Sequence, residues 1–398
     1  MAAKPRARKK KRRIRSAEHG QIVGLRSQEV LSRTLDEMED WVKLQRPDGS
    51  YYSARDILSV ILYAAQRRTT IEDASSSLED APHSNTVRGA TATLNVGDLE
   101  EELNRVLSCS LPRGLLSHPV ESAIDLKLVC YYGEAKEGEE EFLLRGPARD
   151  GTTRFFGYAS IYLIKKNKRF TLAVTVVRKS DDMLAPLERL LDRFFALGGE
   201  IRCLYLDREF YCVKVLDFLI HKKDIPLCMA APKKGKEGGI KGLINKNPPG
   251  VYPYTVSSPK DGKINVSVAV VGMYLRGRHK KHGRRRYAFV IHRYPFSFLA
   301  LFDKYRSRFG IECSHRIWEQ ARARTASQRA TLRFLLVGTA ILLHNLWILM
   351  LWCSISIPSQ GGRKVLRKLF HFQRFLSFLE SAIGRLYHLL EEVIPGHA

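Results

Sequence analysis

The amino-acid sequence predicts an α/β fold: a mixed sheet with flanking helices, a helical region before it and a β-rich insertion within it. Three observations carry this expectation. Between 120 and 232, strand-like runs come first as a meander and then alternate with amphipathic helical runs, in the order β-β-β-α-β-α-β. From 28 to 115 the apolar residues recur at helical spacing between polar turns. From 233 to 297 the β/α alternation breaks into a loop rich in Lys, Gly and Pro, followed by two further strand-like runs.

Taken in chain order, the N-terminal tail (1–20) opens with "MAAKPRARKKKRRIR", nine Lys/Arg without an acid. Such a block repels itself and is expected to stay disordered until it meets phosphates. In "SARDILSVILYAAQRR", Ile57, Leu58, Ile61 and Leu62 fall on one helical face, with Ser53 as N-cap. "TTIEDASSSLED" and "APHSNTVRGATATL" follow as shorter helices, and the trio fits a helix-turn-helix whose last segment presents Asn85, Thr86 and Arg88 to DNA. A plain helical bundle has the same periodicity, so the choice stays open.

"ESAIDLKLVCYYG", "GYASIYLIKKN" and "KRFTLAVTVVRK" are the three meandering strands, the last two joined at Lys166-Asn167-Lys168. "DDMLAPLERLLDRFFALGG" is an amphipathic helix closed by Gly198-Gly199, "IRCLYLD" a fourth strand, "CVKVLDFLIHKKD" a second helix and "IPLCMAAP" a fifth strand. In the insertion, 233–260 is expected as loop, and "INVSVAVVGMYLRGRHKKHGRRRYAFVIHR" as two strands around a basic turn that suits phosphate contact. Helix resumes from 298. Residues 334–362 lack Asp, Glu, Lys and Arg, long enough to span a bilayer; His344-Asn345 in the middle and the soluble pattern elsewhere favour a helix buried inside a large core, with no membrane partner expected. The 360–398 segment is basic, aromatic and amphipathic.

Sixty-six Lys+Arg against forty-one Asp+Glu give a net charge of +25, which argues for a polyanionic partner. Seven cysteines without a CxxC pair fit a reducing compartment and exclude a paired-cysteine zinc site; no apolar leader is evident, so a cytoplasmic setting is expected.

Three acids sit beside apolar sequence, where an ionised group needs a partner. Asp125 lies within the first strand, Asp207 ends the fourth in "YLDREF", and Glu312 opens a late helix. Hard divalent cations such as Mg²⁺ offset that cost with oxygen ligands, and a pair of them can drive phosphodiester chemistry. A salt bridge to Arg208 explains Asp207 taken alone; the three acids together are more specific.

This pattern resembles the catalytic domain of the DDE transposases of prokaryotic insertion sequences, an RNase H-like fold. "AIDLKLVCYYG" is similar to the family's first-Asp strand and "LYLDREFY" to its second. The subgroup with an inserted β domain carries Tyr, two residues, Arg, three residues, Glu, which Tyr305, Arg308 and Glu312 meet in "YRSRFGIE". The subgroup's Lys seven residues after the Glu is Glu319 here, a departure, with Arg316 one turn after Glu312. The resemblance implies an RNase H-like catalytic domain over 120–232 and 298–355, with Asp125, Asp207 and Glu312 as catalytic metal ligands for two Mg²⁺ ions, Mn²⁺ being a substitute. It implies cleavage of double-stranded element ends, joining of the 3′-OH to target DNA, and a homodimer on paired ends. On a helical reading, 305, 308 and 312 share a face, and Arg316, Arg322, Arg324 and Arg329 extend a basic helix along a DNA backbone. Tyr305, Arg308, Arg316, Lys127, Arg322 and Arg88 are the expected DNA contacts. A stand-alone nuclease or resolvase of the same fold, and an inactive DNA-binding regulator, are the alternatives.

Overall fold

The computed structural model describes residues 24–165, 168–235, 238–275, 283–308, 310–360 and 362–392, apart from the side chains of 275, 284, 311–313 and 362. The basic tail and most of the basic turn at 276–286 therefore lie outside the described residues, as does the turn at 166–167.

Five helices come first: α1 (Ser27–Trp41), α2 (Ala54–Arg67), α3 (Ile71–Ser76), α4 (Ser84–Ala90) and α5 (Val96–Cys109). Ser53 caps α2 as its sequence implies: its hydroxyl accepts from the Asp56 N–H at 3.2 Å, and Asp56 accepts from the Ser53 N–H at 2.8 Å. In α4, Arg88 pairs with Glu72 of α3 at 2.6 Å.

The meander and the β/α units then build the sheet. Its elements are β1 (Val120–Tyr131), β2 (Leu143–Arg149), β3 (Thr152–Leu163), β4 (Thr171–Val177), α6 (Leu184–Ala196), β5 (Ile201–Leu206), α7 (Val213–Asp217) and β6 (Leu227–Ala230). The insertion supplies α8 (Gly239–Lys246), β7 (Gly250–Ser258), β8 (Gly262–Leu275) and β9 (Gly283–His292). The strands form one nine-stranded sheet in the order β2-β3-β1-β5-β6-β9-β8-β7, with β4 also on β3. β1 runs antiparallel to β3 and parallel to β5, β5 parallel to β6, and β6 antiparallel to β9. The inserted strands thus prolong the main sheet.

Two strands of this sheet were not expected from the sequence, and the reason is the same for both. β2 contains Gly146 and Pro147, and β7 contains Pro253, residues that weaken strand propensity. Each lies at one end of the strand order, an edge where a missing N–H does no harm.

The chain continues through α9 (Leu301–Ser307), α10 (Gly310–Trp318), α11 (Ala330–Cys353), β10 (Ser356–Ser359), β11 (Gly362–Val365) and α12 (Phe372–Tyr387). The continuous basic helix expected after Glu312 does not form. Helical structure ends by Ala321, and 322–329 is extended or irregular, so Arg322, Arg324 and Arg329 lie on no common helix. Arg333 stabilises that path by donating to the Ser327 carbonyl at 2.6 Å. α11 is long and apolar enough to cross a membrane by length and composition, and its apolar stretch is wholly buried inside this fold.

Helical side chains close the open edge of β4. Glu100 of α5 accepts from the Val176 N–H at 2.8 Å and the Thr175 hydroxyl at 2.9 Å, with Arg193 of α6 at 3.0 Å. Asn104 accepts from the Val174 N–H at 2.8 Å, and Asn345 of α11 exchanges two bonds with Thr171, at 3.0 and 2.8 Å. An exposed strand edge invites unwanted pairing, and these side chains occupy its donors and acceptors. The C-terminal α12 packs on the first helices, with Tyr387 donating to Asp56 at 2.6 Å and Glu380 pairing with Arg67 at 3.0 Å.

Candidate active site

Strand register brings the first two acids together. In the parallel pair β1–β5, Ile124 lies opposite Leu206, so Asp125 and Asp207 are the next residues on neighbouring strands. At Asp207 the chain leaves β5, and Asp207 Oδ1 accepts from the Arg208 N–H at 2.6 Å, starting a short turn. That turn makes a charged residue tolerable at the end of a buried strand: β5 itself is buried at Leu204, Tyr205 and Leu206.

α9 docks on these strand ends through two polar contacts. Lys304 pairs with Glu121 of β1 at 2.7 Å, a carboxylate that also accepts from the Tyr205 hydroxyl at 2.9 Å. Tyr305, only 5% exposed, donates to the Leu206 carbonyl at 3.2 Å, one residue before Asp207. The tyrosine expected at a phosphate is instead packed on Phe289 and holds the strand end. Glu121 was not among the residues expected at the site; an acid within a strand, four residues before Asp125, is its signal in the sequence.

Arg308 follows α9 and is 3% exposed. Its guanidinium reaches both acids, at 3.9 Å from Asp125 Oδ1 and 3.6 Å from Asp207 Oδ2. The arginine expected on DNA therefore sits against the carboxylates. α9 ends at Ser307 and α10 begins at Gly310, so 305, 308 and 312 do not all lie within one helix. Glu312 lies in the first turn of α10, and its side chain lies outside the described residues.

From α10, His315 comes within 3.5 Å of Asp125 Oδ2. Burial pushes the His315 pKa down to about 3, with Lys127 and Arg308 adding to the shift, so its imidazole is neutral at physiological pH. Burial likewise raises the Asp125 pKa from 3.8 to about 6; Arg308 opposes the rise, and Asp207 and Glu209 reinforce it.

The expected phosphate contacts are arranged differently. Lys127 reaches Glu319 at 3.5 Å, and Glu319 also pairs with Arg322 at 3.1 Å. Glu319 thus joins two of the expected cations beside the site. Arg316 is exposed on α10, and Arg88 lies far along the chain in the N-terminal helices.

Among the described residues, no group of three His, Cys, Asp or Glu side chains is placed to hold a metal ion. The chemistry of the pair nevertheless fits one: two converging carboxylates, one of them buried enough for its charge to be penalised, are hard donors that a divalent cation relieves.

No family model and no curated protein sequence matches the chain. The fold, a mixed α/β sheet with many flanking helices, is similar to that of a solved transposase structure. One similar solved structure is the piggyBac transposase synaptic complex with hairpin DNA, seen by cryo-electron microscopy. It matches with a TM-score of 0.52 at 12% identity, over 92% of this chain and 80% of that one.

Proposed function

We propose that the chain is a DDE-type DNA transposase of the insertion-sequence kind, which cuts element ends and joins the freed 3′-OH to target DNA. One observation carries the reading: Asp125 and Asp207, distant in sequence, end side by side on adjacent parallel strands with Arg308 against both. The strand order β4-β3-β1-β5-β6, with β3 antiparallel to β1 and β5 and β6 parallel to it, supports an RNase H-like catalytic core.

Asp125 and Asp207, with Glu312 from α10, would hold Mg²⁺, with Mn²⁺ as a substitute. Bound there, divalent ions supply Lewis-acid activation of the attacking oxygen and charge stabilisation at the leaving 3′-oxygen. The protein's own groups do the rest. Tyr305 and the Arg208 N–H fix where Asp207 points. Arg308 limits the repulsion between the two carboxylates, and neutral His315 flanks Asp125 without adding charge. The net charge of +25 supports DNA as substrate and target. A homodimer would hold paired ends, and the N-terminal helices would contribute to end recognition.

The test is a strand-transfer assay with Mg²⁺ and duplexes carrying the terminal repeats that flank the gene. Wild type is expected to cleave and join, and Asp207→Asn to bind ends without cutting. Cleavage retained in Asp207→Asn refutes the assignment; cleavage without joining identifies a nuclease of the same fold.

A further inference from the structure

Most of the cations expected on DNA are already engaged within the fold. Arg308 faces Asp125 and Asp207, Lys127 and Arg322 share Glu319, and Arg88 pairs with Glu72. A cation beside a carboxylate offers a phosphate less net charge than an unpaired one. Two basic runs stand apart from this pattern. "KKNKR" (165–169) joins β3 to β4, with 166–167 outside the described residues, and "GRKVLRK" (362–368) forms β11 and the segment after it. No Asp or Glu occurs between Asp150 and Asp181 or between Glu319 and Glu380, so neither run has an acidic neighbour along the chain.

Far apart in sequence, the two runs meet in the fold. Lys165, Arg169 and Arg367 line one cleft beside the α9–α10 joint. Lys168 lies 3.8 Å from the ring centre of Trp352 in the last turn of α11, and α11 leads into the hairpin β10–β11, where Lys364 stands opposite Ile357. Among the described residues, Lys165, Lys168, Arg169 and Lys364 form no ion pair with a carboxylate. Partial burial and the neighbouring Lys165 charge lower the Lys168 pKa. Like charges held close without an acid repel, and a polyanion relieves that repulsion.

The cluster also has a fixed relation to the carboxylates. Arg169 approaches the Gly310 carbonyl at 3.5 Å at the start of α10, and a side chain at Gly310 would overlap its guanidinium. His315, later in the same helix, comes within 3.5 Å of Asp125. From 310 to 315 a helix rises about 8 Å. A duplex carries one charge per about 1.7 Å of its axis, so DNA bound at the acids is long enough to reach the cluster as well.

We propose that Lys165, Lys168 and Arg169, with the exposed cations of β11 and the segment after it, form a docking surface for the backbone of duplex DNA, holding the stretch that leads away from the carboxylates. DNA as the partner rests on the transposase reading above; the surface itself rests on where the unpaired cations lie. Its contacts are to phosphates and therefore position the duplex without reading its sequence.

The test uses the full chain in EDTA, so that binding is read apart from any metal-dependent cleavage. Fluorescence anisotropy with a labelled terminal-repeat duplex, over a series of salt concentrations, compares wild type with Lys165→Gln/Lys364→Gln/Lys368→Gln. A control loses the same charge elsewhere, in Lys43→Gln/Lys179→Gln/Lys222→Gln. All six lysines are exposed, so both variants should melt with wild type. The first variant should lose at least about ten-fold in affinity, with the slope of log K against log salt reduced by about 2–3, and the control should lose less than about three-fold. A first variant that binds like the control at unchanged slope overturns the surface and leaves the transposase reading standing. Wild type that does not hold the duplex refutes that reading and the surface together. Duplex affinity kept while binding to phosphatidylserine vesicles is lost overturns the proposal in favour of a membrane-facing surface.

Discussion

Replacing Asp125 with Asn should make the metal-free protein more stable at neutral pH while removing the proposed cleavage activity. In the fold the Asp125 pKa rises from 3.8 to about 6, chiefly through burial. Between those values the folded state binds more protons than the unfolded one, so stability falls as pH rises, and the penalty is complete above about pH 6. Two units at 1.36 kcal/mol each amount to about 3 kcal/mol. Asn copies the shape of the protonated acid and cannot ionise. Asp125→Asn should therefore gain up to about 3 kcal/mol at pH 7.5, and the gain should shrink to nothing near pH 4. Urea unfolding in EDTA across pH 4–8 measures this directly. Added Mg²⁺ should raise the midpoint of wild type and leave that of the variant nearly unchanged, because ligand binding stabilises only the form that binds. A variant no more stable than wild type at pH 7.5, or a gain that is constant with pH, refutes the reasoning about a buried, charge-penalised carboxylate.

Other substitutions probe what positions the site. Tyr305→Phe removes the bond to the Leu206 carbonyl and should cost about 1 kcal/mol by thermal unfolding, slowing cleavage with little change in DNA affinity; a large loss of DNA affinity would instead mark a phosphate contact. Glu100→Ala leaves the Val176 N–H, the Thr175 hydroxyl and Arg193 without their shared acceptor and should destabilise by about 3 kcal/mol in urea melts. Gly338→Ala drives a methyl into the Trp41 ring where α11 meets α1 and should cost about 1–3 kcal/mol, read as a lowered melting temperature.

Much of the scaffold was legible because its signals are local. The α2 cap is written in Ser53 and Asp56, three residues apart, and β1, β3, β4 and β5 are written in β-branched and aromatic runs. β2 and β7 were hidden because proline and glycine argue against strands unless the segment is known to lie at an edge, and edge position is a property of the assembled sheet. The expected basic helix after Glu312 failed for a related reason. Periodicity does not show that 322–329 is held out of a helix, and Arg333 reaching back to the Ser327 carbonyl is a tertiary contact.

The sequence by itself determined the charge balance, the β/α alternation and the candidacy of Asp125, Asp207, Glu312, Tyr305 and Arg308, because composition, periodicity and motif spacing are properties of the chain. Tertiary structure alone decided what those residues do to one another. Register between β1 and β5 set Asp125 beside Asp207, and burial turned Arg308 toward both acids and Tyr305 toward the Leu206 carbonyl. Folding also fitted Glu319 between Lys127 and Arg322. The physical reason is common to these cases: desolvation and pairing act between groups far apart in sequence, so their outcome depends on which groups the fold brings within a few ångströms.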